Sequence, residues 1–321
     1  MPRRSMLLHS LVVTLMTLLL SSCAWFPSTQ EPPYKLVKTW GGKGEALGQF
    51  NDPTGIAVSK SEVFVSDSRN ARIQVFDFDG KLLRSIGKSG DETGQLGRPM
   101  NLTIANDELY VADYFNDVIQ VYSLQGEFLR DIGKPGSQPG EFNAPGGVAV
   151  AKNGDLFVAD FYNQRIQQLD SKGNYIRQWG VTGEIGFWAG KFNYPTDVAL
   201  SVEGMLYFAD GYNDRIQAYN SKGEFSHKWG GPLAMNVFGP FNGWFATVTS
   251  VNVGPKGNVF VADFYNDRIQ KFTPAGKFLN AFGLPTEKPT HTAMAMAIAD
   301  DGTVFVADYA NHQIQKWQPA R

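Results

Sequence analysis

FVADFYNDRIQ at 260–270 is the stretch on which the fold turns, because the chain repeats it. FVADFYNQRIQ stands at 157–167 and YVADYFNDVIQ at 110–120, with weaker copies FVSDSRNARIQ at 64–74, YFADGYNDRIQ at 207–217 and FVADYANHQIQ at 305–315. The fixed points are an Asp, an Asn three residues on, and Ile-Gln three and four residues after that. The six aspartates are Asp67, Asp113, Asp160, Asp210, Asp263 and Asp308, spaced 46, 47, 50, 53 and 45 residues apart. A period in this range means an array of supersecondary units, each unable to bury its apolar face alone.

The third copy shows what a unit must be. The apolar run 146–151 follows Pro145 and reads as a strand; KNGD at 152–155 is a hairpin turn with Asn-Gly; LFVAD at 156–160 is a second strand. After the short connection FYN, RIQQLD at 165–170 alternates polar and apolar, SKGN turns the chain, and YIRQWG at 175–180 makes a fourth strand. Helix is a poor alternative: apolar residues recur at every second position, and the 34 Gly and 17 Pro punctuate at hairpin intervals. Six four-stranded antiparallel sheets in series read as an all-β propeller, which leaves only short, protected edges.

The pattern P-x-G-[IV]-A-V, then VADxxNxRIQ, then a strand ending in Trp-Gly or Ile-Gly, resembles NHL repeats, and the resemblance extends over 34–317. It implies a six-bladed β-propeller and leaves function open. The units run 53–87, 99–133, 145–180, 195–230, 249–283 and 292–317. The last lacks a fourth strand, while YKLVKTWG at 34–41 matches the fourth strands elsewhere. We therefore expect strand 34–40 to complete the sixth blade and close the propeller 34–321, with Leu36 or Val37 and Trp40 buried in the seam.

The first 22 residues carry Arg3 and Arg4 before an apolar run from Met6 to Leu20, too short for a comfortable membrane span, and read as a signal peptide over 1–22. Leu20-Ser21-Ser22-Cys23 resembles a bacterial lipobox, which implies acylation of Cys23, the single cysteine of the chain. Two or more acyl chains hold a protein stably on a bilayer. Ala24 after the cysteine, by resemblance to Gram-negative sorting, points to the outer membrane of a bacterial cell envelope. Residues 23–33, with Pro27, Pro32 and Pro33, are expected to form an extended lipid-anchored tether. Removing 1–22 takes away two arginines and no acid, so the net charge moves from −2 to −4. That balance argues against a nucleic-acid partner, although some NHL domains bind RNA through a basic face.

Three sets of residues carry possible chemistry. A ring of six aspartates is the sort of oxygen cluster a hard cation uses, but a residue present in every repeat usually serves the repeat, and Arg72, Arg165, Arg215 and Arg268 stand ready to neutralise the carboxylates. Between Asp and Asn lie Tyr114, Phe115, Phe161, Tyr162, Tyr212, Phe264, Tyr265 and Tyr309, all on connections that a propeller places on one face. Two longer blade-to-blade connections, 181–195 with Phe187 and Trp188 and 231–247 with Phe238, Phe241, Trp244 and Phe245, are expected to project beside them. Clustered exposed aromatics mark binding sites for a protein, peptide or glycan. His291 and His312 fall in the sixth unit, the weak makings of a metal site, with no third ligand visible. NHL-like amidating lyases hold zinc through histidines, and this chain, with 4 in all, has too few to carry that site over. It has no G-x-S-x-G and no cysteine nucleophile in the repeats. The leading expectation is a non-catalytic binding scaffold without cofactor; the alternative is a metal-dependent propeller lyase or hydrolase.

Overall fold

A computed structural model describes residues 31–283 and 291–320; the expected signal peptide and Cys23 lie outside the described residues. Six four-stranded sheets stand around an axis, and in five of them the strands pair in chain order. The third blade is representative: Pro145–Val150, Leu156–Asp160, Arg165–Leu169 and Tyr175–Gly180. The first strand of each blade lies against the channel. These inner strands are Pro53–Val58, Pro99–Ala105, Pro145–Val150, Pro195–Leu200, Val248–Val253 and Ala293–Ile298, and each touches the next around the ring. Every one opens with a register shift near its first residue. Such bulges bend the strand where it leaves the connection above it.

The apolar cores lie between blades. One joins Ile56 and Val63 of the first blade to Ala295 and Phe305 of the sixth, and another joins Ala209 and Ile216 to Val251 and Val261. The blade-to-blade connections drive Phe50, Leu96, Phe142, Phe192 and Phe245 into these seams, all fully buried. Each is worth roughly 1.5–3 kcal/mol. Phe245 is thus a plug common to the repeat, not the exposed residue expected for the 231–247 connection.

The ring closes as the sequence predicts. Tyr34–Gly41 pairs antiparallel with Gln313–Pro319, Trp40 opposite Ile314, as the outermost strand of the sixth blade. Trp40 enters the seam as expected, and its companion differs. Leu36 and Val37 are 36% and 49% exposed. Tyr34 instead stacks on Phe282 at 4.3 Å, and Trp40 packs against Phe76 and Phe305. A bulge between Leu36 and Lys38 sends the two rings to different seams, because a one-residue slip exchanges the two faces of a strand: Tyr34 reaches the core of the fifth and sixth blades and Trp40 that of the sixth and first. The expected tether is also shorter than 23–33 at its far end. Glu31 pairs with Lys271 at 2.7 Å, Asn280 Nδ2 donates to Pro32 O, and Ala320 N donates to Pro33 O.

The repeated Asp, Asn, Arg and Gln form one clasp. In the fourth blade Asp210 Oδ2 accepts from Asn213 Nδ2 at 2.9 Å, Arg215 Nε at 2.7 Å and Gln217 Nε2 at 3.0 Å, while Oδ1 accepts from Asn193 N at 2.8 Å. The carboxylate binds the connection above to the hairpin beside it, as Asp67, Asp160 and Asp263 do with Arg72, Arg165 and Arg268. Val118 and Gln313 stand in the arginine's place beside Asp113 and Asp308.

The residue after the Asn carries a second device that the sequence pattern did not disclose. Ala71, Asp117, Gln164, Asp214, Asp267 and His312 all take a left-handed conformation, φ +48° to +59°. That conformation turns the side chain toward the next blade. Asp117, Gln164, Asp214 and Asp267 each accept from the backbone N–H that precedes the next inner strand, at Ala144, Tyr194, Thr247 and Thr292. His312 Nδ1 accepts from Asp52 N at 3.2 Å and makes the same latch across the closing seam. Ala71 has no acceptor to offer, and Arg98 N donates instead to Asp113 Oδ1.

Candidate functional site

With the clasp holding each Asp–Asn connection, the residues between them are placed around the channel mouth. Tyr114, Phe161, Tyr212, Phe264, Tyr265 and Tyr309, each from a connection between second and third strands, line a cavity of about 410 Å³. The rings touch in series: Tyr114 to Phe161 at 6.2 Å, Phe161 to Tyr212 at 6.4 Å, Phe264 to Tyr309 at 6.0 Å. Tyr194, which the sequence pattern did not single out, packs on Phe161 at 4.9 Å and Tyr212 at 5.2 Å. Burial raises the phenols of Tyr114, Tyr212 and Tyr309, so they remain neutral hydroxyls.

The floor comes from the inner strands: Thr54, Met100, Thr196, Thr249 and Met294, with Asn101 at the bottom. Three of the threonine hydroxyls donate to carbonyls of the next blade: Thr54 to Pro99 O, Thr196 to Val248 O and Thr249 to Ala293 O. Below, Asn101 also borders a cavity of about 120 Å³ in the channel. There the carboxylate of Asp197 accepts from Ser250 Oγ at 2.7 Å, Val251 N at 3.0 Å and Val198 N at 2.9 Å. No cation pairs with it among the described residues, and burial pushes its pKa up to about 7.

The remaining aromatics singled out from sequence fall into three places. Phe115 and Tyr162 stand on the rim, each against Tyr114. Phe241 lies with Phe238 in an adjoining groove of about 560 Å³ that shares Tyr265 and Thr247 with the mouth. Trp244 belongs to a different groove beside Trp229 and Phe278 at the outer seam of the fourth and fifth blades. Trp188 is 65% exposed and packs, tilted, on Phe187 at 4.9 Å outside the mouth lining. Both long connections are held by one residue. Arg215, fully buried, donates through Nη2 to Trp188 O and Lys191 O at 3.0 Å and through Nη1 to Phe187 O and, at 3.1 Å, to Ala234 O.

The two histidines part company. His291 lines the mouth, its ring stacked on Phe264 at 5.4 Å and edge-on to Tyr265 at 4.6 Å. His312 serves the closing seam. Among the described residues no three His, Cys, Asp or Glu side chains gather as metal ligands. The sequence pattern missed Arg98, which enters the mouth from the connection before the second inner strand, because no other repeat has a cation there.

Comparison with known proteins agrees with this architecture. Residues 50–76 match the NHL repeat family model, and 91–182 match a family described as 6-bladed beta-propeller. No curated protein sequence matches significantly. Among solved structures the chain resembles a streptogramin B lyase at 16% identity and a TM-score of 0.61, over 89% of this chain and 97% of that one. It also resembles a structural genomics protein from Bacteroides thetaiotaomicron, at 16% identity and 0.67 over 88% and 75%. The WD40 propeller domain of Doa1 matches at 11% and 0.63 over 90% and 98%. At such identities the likeness is one of fold. The chain is a six-bladed β-propeller that carries NHL-repeat sequence.

Proposed function

We propose that this propeller is a non-catalytic binding scaffold, tethered to the bacterial outer membrane through lipid on Cys23, which takes its ligand in the aromatic channel mouth. The observation that carries the reading is the division of labour within each repeat. Asp, Asn, Arg and Gln are spent on the clasp and the left-handed residue on the latch, while in the second to sixth blades the positions between Asp and Asn do neither and bring six rings to one cavity. A concave, largely apolar pocket of several hundred Å³ with a few polar groups is what small ligands and peptide ends occupy. The adjoining groove along Phe238 and Phe241 would extend the contact for a larger partner. The acylation reading rests on the lipobox resemblance alone.

A thermal-shift screen of the detergent-solubilised full chain against peptides and small aromatic compounds tests the mouth. A ligand at one hundred times its Kd stabilises by about 2.7 kcal/mol. Hits should raise Tm in the parent and lose the effect in Phe161→Ala/Tyr212→Ala. Hits insensitive to that pair, or none, would count against the mouth. Incorporation of labelled palmitate that survives Cys23→Ser would sink the anchor. The fold likeness to streptogramin B lyase supplies a second reading, a lyase with His291 as its base; turnover of a streptogramin B, abolished by His291→Ala, would favour it.

A further inference from the structure

We propose that the channel mouth binds a carboxylate carried on an apolar body, with Arg98 as its counter-ion; this rests on the mouth being the binding site. Arg98 stands alone among its counterparts. Asp52, Ala144, Tyr194, Thr247 and Thr292 hold the same place before the other inner strands, so the repeat does not require a cation there. Only its backbone serves the fold, through Arg98 N to Asp113 and Tyr114 N to Arg98 O.

The side chain takes part in none of the ion pairs formed among the described residues. Its Nε is buried without a hydrogen-bond partner. The guanidinium lies 5.4 Å from the Phe115 ring centre and 5.9 Å from that of Tyr114. Such stacking steadies the plane and leaves the in-plane N–H fork for a ligand. A buried donor without an acceptor is costly, and an incoming acceptor relieves it.

The surroundings fix the sign and the shape. No carboxylate lines the cavity among the described residues; Asp52, which accepts from Tyr309 of the wall, is paired with Arg69, and Asp113 beside Arg98 is spent on its clasp. His291 adds a second unsatisfied group, since its Nδ1 is also buried without a partner. Three of the four threonine hydroxyls are spent on backbone carbonyls, and the other hydroxyls of the wall are neutral, which leaves Arg98 as its charged donor. A single planar fork suits a carboxylate, in bidentate contact, better than a phosphate that would want donors on several sides. The rest of the wall is Tyr, Phe and Met, which favours an apolar or aromatic body.

Calorimetric titration of the detergent-solubilised full chain with N-acetylphenylalanine and with its primary amide tests this, since the two share a body and differ in charge. The acid should bind at least ~10-fold more tightly, the range of a hydrogen bond to a charged group. Arg98→Gln should bring the acid down to the level of the amide, leave the amide unchanged and change Tm little, because beyond its stack on Phe115 and Tyr114 the side chain makes no ion pair in the fold. Arg98→Lys, which keeps charge without the fork, should fall between. Equal binding of acid and amide, a preference that survives Arg98→Gln, or no binding of either probe at millimolar concentration overturns the assignment. The binding role of the mouth falls separately, only if the ligand screen with Phe161→Ala/Tyr212→Ala fails. A peptide ending in free Phe, compared with its C-terminal amide, distinguishes a peptide terminus from a free small acid as the source.

Discussion

Replacing Arg215 by Ala should cost the fold about 4 kcal/mol. Arg215 and Asp210 are both fully buried and joined at 2.7 Å. Removing one member of such a pair leaves the other charge uncompensated and costs about 3–5 kcal/mol. Asp210 would keep Asn193 N, Asn213 and Gln217 as donors, one fewer than Asp113, which lives without an arginine by accepting from Gly97 N, Arg98 N, Asn116 and Gln120. The carbonyls of Trp188, Lys191 and Ala234 would each lose one of two donors and Phe187 O would lose its donor, which loosens both long connections at once. Against a typical stability of about 5–15 kcal/mol this is a large fraction. Urea unfolding followed by tryptophan fluorescence measures it, and limited proteolysis should show new cleavage in 181–194 and 231–247. The penalty should shrink as pH falls and Asp210, whose pKa burial already raises, takes up a proton. Asp210→Asn in the Arg215→Ala background should restore part of the loss. Arg268→Ala should cost less, because its side chain is 15% exposed and water can replace it. A loss below about 1 kcal/mol for Arg215→Ala, or one equal to that of Arg268→Ala, would refute a buried-charge origin.

Deleting 31–41 removes Tyr34 and Trp40 from the seam, at roughly 1.5–3 kcal/mol each, and bares the edge of Gln313–Pro319. The product should melt several degrees lower and aggregate, and an unchanged Tm would contradict closure by this strand. Asp197 predicts a pH effect. Its folded pKa, about 7, lies above the ordinary value of 3.8, so its contribution is complete below pH 3.8 and is lost as pH rises through 7, up to ~4 kcal/mol. Asp197→Asn should therefore flatten the decline of stability between pH 4 and 8 relative to the parent; parallel curves for the two proteins would rule this out.

Much of the architecture was legible before any coordinates. Blade number, strand order and the sealing strand depend on hairpins and on a pattern repeated within the chain, and alternation with Gly and Asn turns specifies these locally. The repeated Asp, Asn and Arg were rightly suspected of serving the repeat because their spacing is constant, and Asp210 with Arg215 shows the bonds. What the sequence could not carry is any property set by a neighbouring blade. The latch at Asp214 depends on a left-handed φ and on a backbone N–H 33 residues away. A one-residue bulge put Tyr34 and the expected Trp40 into opposite seams, while Leu36 and Val37 stayed exposed. Phe241, Trp244 and Trp188 looked alike as exposed aromatics of long connections, yet Phe241 and Trp244, in contact at 5.1 Å, face different grooves, and Trp188 stands apart on Phe187. Arg98 gave no periodic signal because it occurs once; only convergence of connections from five blades on one axis made it the cation of an acid-free cavity. Local pairing energies, repeated along the chain, decide the blades, whereas the mouth is made of residues far apart in sequence and exists only when the ring is shut.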